Sequence, residues 1–354
     1  EKKKVKNAEY DVVVVGGGMS GICAALAAAR HGVRTALVHD RHVLGGNGSS
    51  EIRMHICGAS ENLAKPDLEE GGILYEIMLD NKSRNDYYNF SIWDMILFST
   101  VKRQENLTVY LNTAMESCEM GEDSTIRSID AYQLTTETHW RISGKVFIDC
   151  TGNATLGYYA GAEFRTGCEG RDEFHEPDAP AEANNDRMGN TLLFKAVDRG
   201  HPVKFTKPDF ARTFTEEELK YRTHSAVHGA QIKGKVDKAY VRMTSFSTSS
   251  VDYGYWWIEL PGRTDDIIDE YEEIRDELVS CIYGIWDHLK NGGDHGAENY
   301  DLEWVGMLPG SREGRRLVGD YILNENDVLS NRQFEDAVAY GGWPMDIHTA
   351  KGLY

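Results

Sequence analysis

Gly16, Gly18 and Gly21 stand in GxGxxG spacing within the run Gly16-Gly17-Gly18-Met19-Ser20-Gly21, the pattern of a phosphate cradle. Gly16 permits a tight turn, Gly18 lets the backbone approach a pyrophosphate, and Gly21 lets the following helix pack closely on the preceding strand. Met19 and Ser20 open that helix, whose unpaired N–H groups and partial positive charge face the phosphates. An acid about 20 residues further on accepts hydrogen bonds from a ribose, and Asp40 lies 19 positions after Gly21. Other residues suit proton and anion handling. His348 follows Asp346 by two positions; histidine is the side chain best matched to taking a substrate proton near neutral pH, and an acidic neighbour holds the ring and favours its charged form. The pair reads equally well as a loop-fixing contact. Arg312, Arg315 and Arg316 form a positive cluster suited to a carboxylate or a hydroxyl array, or else to ion pairs between domains. His55 and Cys57 are a further candidate, set against the plainer reading of a core histidine and a buried thiol.

These groups need a frame, and the sequence supplies one. Val12-Val13-Val14-Val15 is the β-branched run of a strand buried in a parallel sheet. Ile22 to Ala29 is Ala-rich with high helix propensity, Gly32 is a natural stop, and Thr35-Ala36-Leu37-Val38 supplies a second strand. Helices are expected at 70–81 and 91–104, the latter with Ile92, Met95, Ile96, Leu97 and Phe98 on its apolar side. Leu107–Leu111 reads as a strand, 126–134 and 138–142 as an antiparallel meander, and 146–148 as a return to the parallel sheet. Beyond about 164 the character changes. Tyr253, Tyr255, Trp256 and Trp257 lie in an alternating run that could pack a sheet or stack on sugar rings. The acid-rich segment 265–277 places Ile267, Ile268, Tyr271, Ile274 and Leu278 on one side, as a solvated amphipathic helix does.

Composition sets the outer bounds. The 354 residues are enough for about two domains. With 38 basic and 57 acidic side chains, the net charge of −19 disfavours nucleic acid and anionic lipid as partners. No apolar run approaches the ~18 residues of a membrane helix. The six cysteines are scattered without a CxxC pair, so free thiols in a reducing, cytoplasmic compartment are expected, although a chain beginning at Glu1 leaves a removed leader open. No zinc-ligand spacing is present, and no metal is expected.

Leu44-Gly45-Gly46-Asn47, just past the second strand, resembles the glycine-rich continuation of flavoproteins of the two-dinucleotide-binding-domain, glutathione-reductase-like type, as does Asp149-Cys150-Thr151-Gly152-Asn153-Ala154. With 47–53, 170–174, 311–316 and 341–348, the chain resembles over nearly its whole length the bacterial FAD-dependent oxidoreductase family. That resemblance implies an α/β fold: a Rossmann-like FAD-binding domain with a parallel sheet and a β-meander (1–163), an inserted mixed α+β substrate or cap domain (164–301), and a segment returning towards the flavin (302–354). It implies FAD as cofactor, held by Gly16, Gly18, Met19, Ser20, Gly21, Gly45, Gly46 and Asn47. Ala114 and Met115 would stand at the adenine, and Thr151, Gly152 and Asn153 at the ribityl or pyrophosphate. His39 stands where the ribose acid is usual, so either Asp40, with Arg41 beside it, takes the role by a slight shift or His39 bonds more weakly. Asn153 replaces a usual Asp. The chain is expected to stop short of the last strand and helix of such a domain.

The activity implied is two-electron redox chemistry on a small polar substrate, with a carbohydrate-like compound as one candidate. His348, Asp346, His55 and Arg312 are the catalytic candidates, and His55 or Cys57 could attach flavin covalently. Rival readings are an electron-transfer subunit similar to the flavin subunit of heterodisulfide reductase, which normally brings iron–sulfur cysteines absent here; a non-catalytic binding module; and an NAD(P)-only dehydrogenase, which leaves 44–47 unexplained.

Overall fold

A computed structural model describes residues 4–54, 56, 71–220, 266–338, 341, 348 and 350–353, together with the backbone of 255–259. The chain divides into two compact units: Glu1–Ser50 with Glu70–Thr166 and Gly314–Ser330, and Glu51–Glu69 with Gly167–Glu313 and Asn331–Tyr354.

The first unit is organised by a four-stranded parallel sheet in the order Leu107–Tyr110, Thr35–Val38, Val12–Val15, Val146–Asp149. Val12–Val15 sits between two neighbours, with Val15 opposite Val38 on one side and Asp149 on the other. Such a strand must be apolar on both faces; Val13 and Val14 are fully buried. The helix Met19–Arg30 covers the sheet with Gly21, Ile22, Ala25, Leu26 and Ala29, a helical stripe of mostly small residues that allows close approach. Burying Ile22 and Leu26 contributes about 1.5–3 kcal/mol each.

Two more helices, Gly72–Arg84 and Phe90–Arg103, occupy the expected regions. Asn89 caps the second of these, its side-chain oxygen accepting from the Ser91 N–H at 2.8 Å. Its buried stripe is Trp93, Ile96, Leu97 and Val101; Ile92, Met95 and Phe98 lie towards solvent, a correction to the apolar side read from sequence.

The meander is a second sheet of Thr113–Met120, Ile126–Gln133 and Thr138–Ser143, to which the N-terminal strand Lys4–Glu9 adds in parallel against Thr138–Ser143. A two-stranded pair, Phe164–Arg165 with Arg316–Leu317, completes the unit.

The second unit has a three-stranded antiparallel sheet, Tyr255–Glu259, Thr191–Asp198 and Tyr300–Val305. Its core packs Leu192, Phe194 and Ala196 against the long helix Tyr271–Asn291 through Leu278, Ile282, Trp286 and Leu289. That helix bears out the acid-rich amphipathic reading only from Tyr271 onward: Ile267 and Ile268 lie in the turn before it, and it continues past the segment to Asn291. The aromatic side chains of 253–257 lie outside the described residues.

Among the described residues no helix is long and apolar enough to cross a membrane, and Cys23, Cys118, Cys150, Cys168 and Cys281 are free thiols.

Candidate functional site

The four parallel strands end level, at Val15, Val38, Tyr110 and Asp149. Their following loops therefore gather along one edge of the sheet, where open α/β folds bind ligands. Backbone bonds lock the edge together: Gly16 N–H donates to the Val38 carbonyl (2.8 Å), His39 N–H to Tyr110 (2.8 Å) and Cys150 N–H to Val15 (2.7 Å).

Each glycine of the motif answers a different demand. Gly16 has φ +102°, and a Cβ there would lie 2.1 Å from the Cys150 carbonyl oxygen. A Cβ on Gly21 would lie 1.8 Å from the Gly16 oxygen, so the helix could not approach its strand. Gly17, which the motif leaves unspecified, would drive a Cβ to 2.6 Å from the His39 ring and 2.8 Å from Leu44. Gly18 differs from all three. Its φ of −67° and ψ of −179° suit any residue, and a Cβ there would meet nothing nearer than the Gly46 Cα at 4.0 Å. No protein atom requires glycine at 18.

Gly18 is also the N-cap of Met19–Arg30, with no side-chain cap and no acid in the first turn. The helix N-terminus therefore opens onto a space floored by glycine. The Gly45-Gly46 turn closes its other side: Gly45 N–H donates to the Gly17 carbonyl at 2.8 Å, and both glycines have positive φ (+113° and +57°). Trp93, fully buried, pins this turn by donating from Nε1 to the Gly48 carbonyl at 2.9 Å. Bare N–H groups, a helix dipole and facing glycines fit a dinucleotide pyrophosphate. Met19 is half-buried at this opening and Ser20 and Asn47 are exposed.

His39 is buried, and both its ring nitrogens serve the protein. Gly17 N–H donates to Nδ1 at 2.9 Å, and Nε2 donates to the Val43 carbonyl at 3.0 Å. The ring thus ties the glycine turn to the loop after the second strand. Asp40 follows with an exposed side chain, its Oδ1 3.3 Å from His39 Nδ1, and Arg41 is half-buried beside it. Of the two ribose candidates, Asp40 is the one displayed to solvent.

At the fourth strand the Asp149 carboxylate accepts from the Thr151 N–H (2.9 Å) and hydroxyl (2.7 Å) through one oxygen and from the Gly157 N–H (2.9 Å) through the other. The Thr151 hydroxyl accepts in turn from the Thr155 N–H at 2.7 Å. The Thr151 side chain is therefore spent on shaping the turn. Gly152, at φ +83°, stays open: a methyl group placed there would meet nothing within 4 Å. Asn153 packs against Gly314 and accepts at its carbonyl from Arg315, whose guanidinium lies 3.9 Å over the Tyr158 ring. Arg315 thus stitches its own unit, and Arg316 lies in the short strand pair. Ala114 is exposed, whereas Met115 packs against the core between the two sheets. Burial pushes the thiols of Cys23 and Cys150, both close to the glycine turn, up from their ordinary values, so neither is a ready thiolate.

In the second unit Arg312 donates from Nη2 to His348 Nε2 at 2.9 Å and from Nη1 to the hydroxyl of buried Thr191 at 3.3 Å. Arginine has no acceptor, so Nε2 is the accepting nitrogen and the ring proton sits on Nδ1. As held, Nε2 accepts from Arg312 and only Nδ1 carries a proton to donate; Nε2 can take a substrate proton only when it leaves Arg312. Asp346, His55 and Cys57 lie outside the described residues.

The sequence model of a family described as "FAD dependent oxidoreductase" matches residues 11–353. Among solved structures, the chain is similar to a geranylgeranyl bacteriochlorophyll reductase-like protein from Thermoplasma acidophilum (15% identity, TM-score 0.36, covering 58% of this chain and 52% of that one). It is similar also to L-proline dehydrogenase from P. horikoshii (17%, TM-score 0.27, 48% and 26%) and to a myxobacterial chondrochloren halogenase described as a new variant of FAD-dependent halogenases (15%, TM-score 0.35, 56% and 46%). The chain spans about half or less of the length of each.

Proposed function

Since the chain belongs to the FAD dependent oxidoreductase family, we propose that the full-length protein oxidises or reduces a small polar organic substrate by two-electron transfer. The observation that carries this reading is Gly18: a residue free to bear a side chain, left bare where a helix N-terminus faces the Gly45-Gly46 turn. When bound, FAD supplies the hydride chemistry.

The chain's own residues bind, orient and move the proton. The amides opening Met19–Arg30 hold the pyrophosphate, with Gly16, Gly18, Gly21, Gly45, Gly46 and Asn47 forming the cradle. Asp40 holds the ribose, with Arg41 beside it; Ala114 and Met115 flank the adenine, and the turn through Gly152 and Asn153 borders the ribityl chain. We assign the substrate's anionic or hydroxyl groups to Arg312 and its proton to His348, whose Nε2 becomes a base as Arg312 turns to the substrate. Asp346 and His55 remain candidates to orient or assist that step. A carbohydrate-like compound is the class to test first, given the aromatic run 253–257.

The test is to purify the full-length protein, record its absorption spectrum, reconstitute it with FAD and add candidate polar substrates without oxygen. A flavin spectrum that bleaches with a small molecule alone is expected. A colourless protein that takes up no FAD overturns the reading, and a flavin reduced only by a protein partner moves it to the electron-transfer alternative. Arg312→Met is expected to raise the substrate KM about tenfold, the loss of one charge-assisted hydrogen bond of about 1.5 kcal/mol, with the flavin spectrum unchanged. Steady-state kinetics on the bleaching substrate check it.

A further inference from the structure

We propose that the second unit holds a mononuclear divalent transition-metal site of the Zn2+ class, built by Glu216, His288 and His295. One ligand atom from each of these side chains lies within 4.8 Å of the others. Glu216 Oε2 is 3.1 Å from His288 Nε2 and 3.6 Å from His295 Nε2. Ligands about 2.0–2.1 Å from a tetrahedral ion stand about 3.3 Å apart, so these separations bracket the edge of such a shell.

The hydrogen bonding of His288 adds an independent argument. Its Nδ1 lies 3.1 Å from the Phe214 carbonyl, an acceptor, so Nδ1 must donate. In the neutral ring Nε2 then carries a lone pair, yet it faces a carboxylate oxygen, also an acceptor. A cation bound by both groups satisfies the two facing acceptors. A ring N–H given to a backbone carbonyl, with the other nitrogen turned to the ion, is how proteins orient metal-binding histidines.

The backbone is shaped to bring the three together. Glu216 opens a short helix fixed by a capping box of Thr215 and Glu218. His288, 5% exposed in its side chain, occupies the last turn of Tyr271–Asn291, where the carbonyl end of the helix favours a cation. Gly292 N–H donates to the His288 carbonyl at 2.8 Å, and a Cβ at 292 would fall 2.8 Å from His288 Nδ1. Glycine there lets the chain double back, bringing the His295 ring to 4.7 Å from that of His288. The Glu216 side chain is 68% exposed, which leaves ion entry and a fourth, water-held position on its side. Seventy-two positions separate Glu216 from His288, which is why no ligand spacing shows in the sequence.

The experiment uses the full-length protein freed of any affinity tag and stripped with chelator. Zn2+ retention is measured by elemental analysis after gel filtration, and Co2+ binding by its visible d–d bands. Neither readout depends on flavin. Saturation at one equivalent is expected, with Glu216→Gln and His295→Gln each weakening binding by at least about tenfold, and Glu217→Gln, at the neighbouring exposed acid, leaving it unchanged. His288→Gln touches a buried side chain, so the two more exposed ligands carry the test. No stoichiometric retention and no Co2+ bands, or equal binding by wild type and Glu216→Gln, overturns the site.

Discussion

Gly18→Val is expected to abolish useful flavin binding while leaving the apoprotein as stable as the wild type. The backbone at 18 is extended and suits a residue with a side chain, and an added Cβ meets no protein atom nearer than the Gly46 Cα at 4.0 Å. Stability should therefore change by less than about 0.5 kcal/mol. The side chain instead occupies the space between the helix amides and the Gly45-Gly46 turn. Forcing a ligand to share filled space costs about 1–3 kcal/mol or more, and the upper end corresponds to about 150-fold in Kd. Gly21→Ala provides the contrast. Its Cβ would stand 1.8 Å from a backbone oxygen, so the helix must leave the sheet and stability falls first. Flavin titration by fluorescence quenching and urea unfolding of the apoproteins separate the two cases. A Gly18→Val protein that loses stability but keeps flavin affinity would make Gly18 a packing residue and remove the main support for the proposed cofactor site.

The parts of this molecule that can be read from sequence are those whose cause is local. Four valines, spaced glycines, an alanine-rich helix and a second strand each follow from residues next to one another, and the structure assembles them as the pattern implies. Leu44-Gly45-Gly46-Asn47 stands out through its resemblance to the glycine-rich continuation of flavoproteins, and in the structure Gly45 and Gly46 both take positive φ.

What stayed hidden depends on contacts distant in the chain. Lys4–Glu9 carries no strand signal in the sequence; its strand exists because a sheet edge accepts polar residues that need no core. The engagement of Thr151 by Asp149 could not be told from a ligand contact, since a hydroxyl serves either use. His348 pairs in sequence with Asp346, two positions away, whereas the structure joins it to Arg312, 36 positions away. That partner takes Nε2 as an acceptor, a contact the sequence does not suggest, while Asp346 lies outside the described residues.

His39→Ala is expected to cost about 2–5 kcal/mol of stability, more than a substitution of a ligand-contacting side chain at this edge should. Two losses add. The Gly17 N–H and the Val43 carbonyl lose their shared partner, and an unsatisfied buried backbone group costs about 1–3 kcal/mol; the vacated ring also leaves a cavity beneath the glycine turn. Flavin affinity should fall as well, because the ring sets the spacing between Gly17 and the loop leading to Gly45-Gly46. The choice of replacement then tests why histidine occupies a position where an acid would serve a ribose. Glutamate can accept from the Gly17 N–H, but it has nothing to give the Val43 carbonyl and would set acceptor against acceptor. Glutamine carries one group of each kind. Stability should therefore rank wild type, then His39→Gln, then His39→Glu close to His39→Ala, as urea unfolding of the four apoproteins would measure. If glutamate equals the wild type in stability and raises flavin affinity, the residue faces the nucleotide after all. If alanine lies within about 0.5 kcal/mol of the wild type, the double tether does not hold the turn, and the cradle owes its shape to its glycines alone.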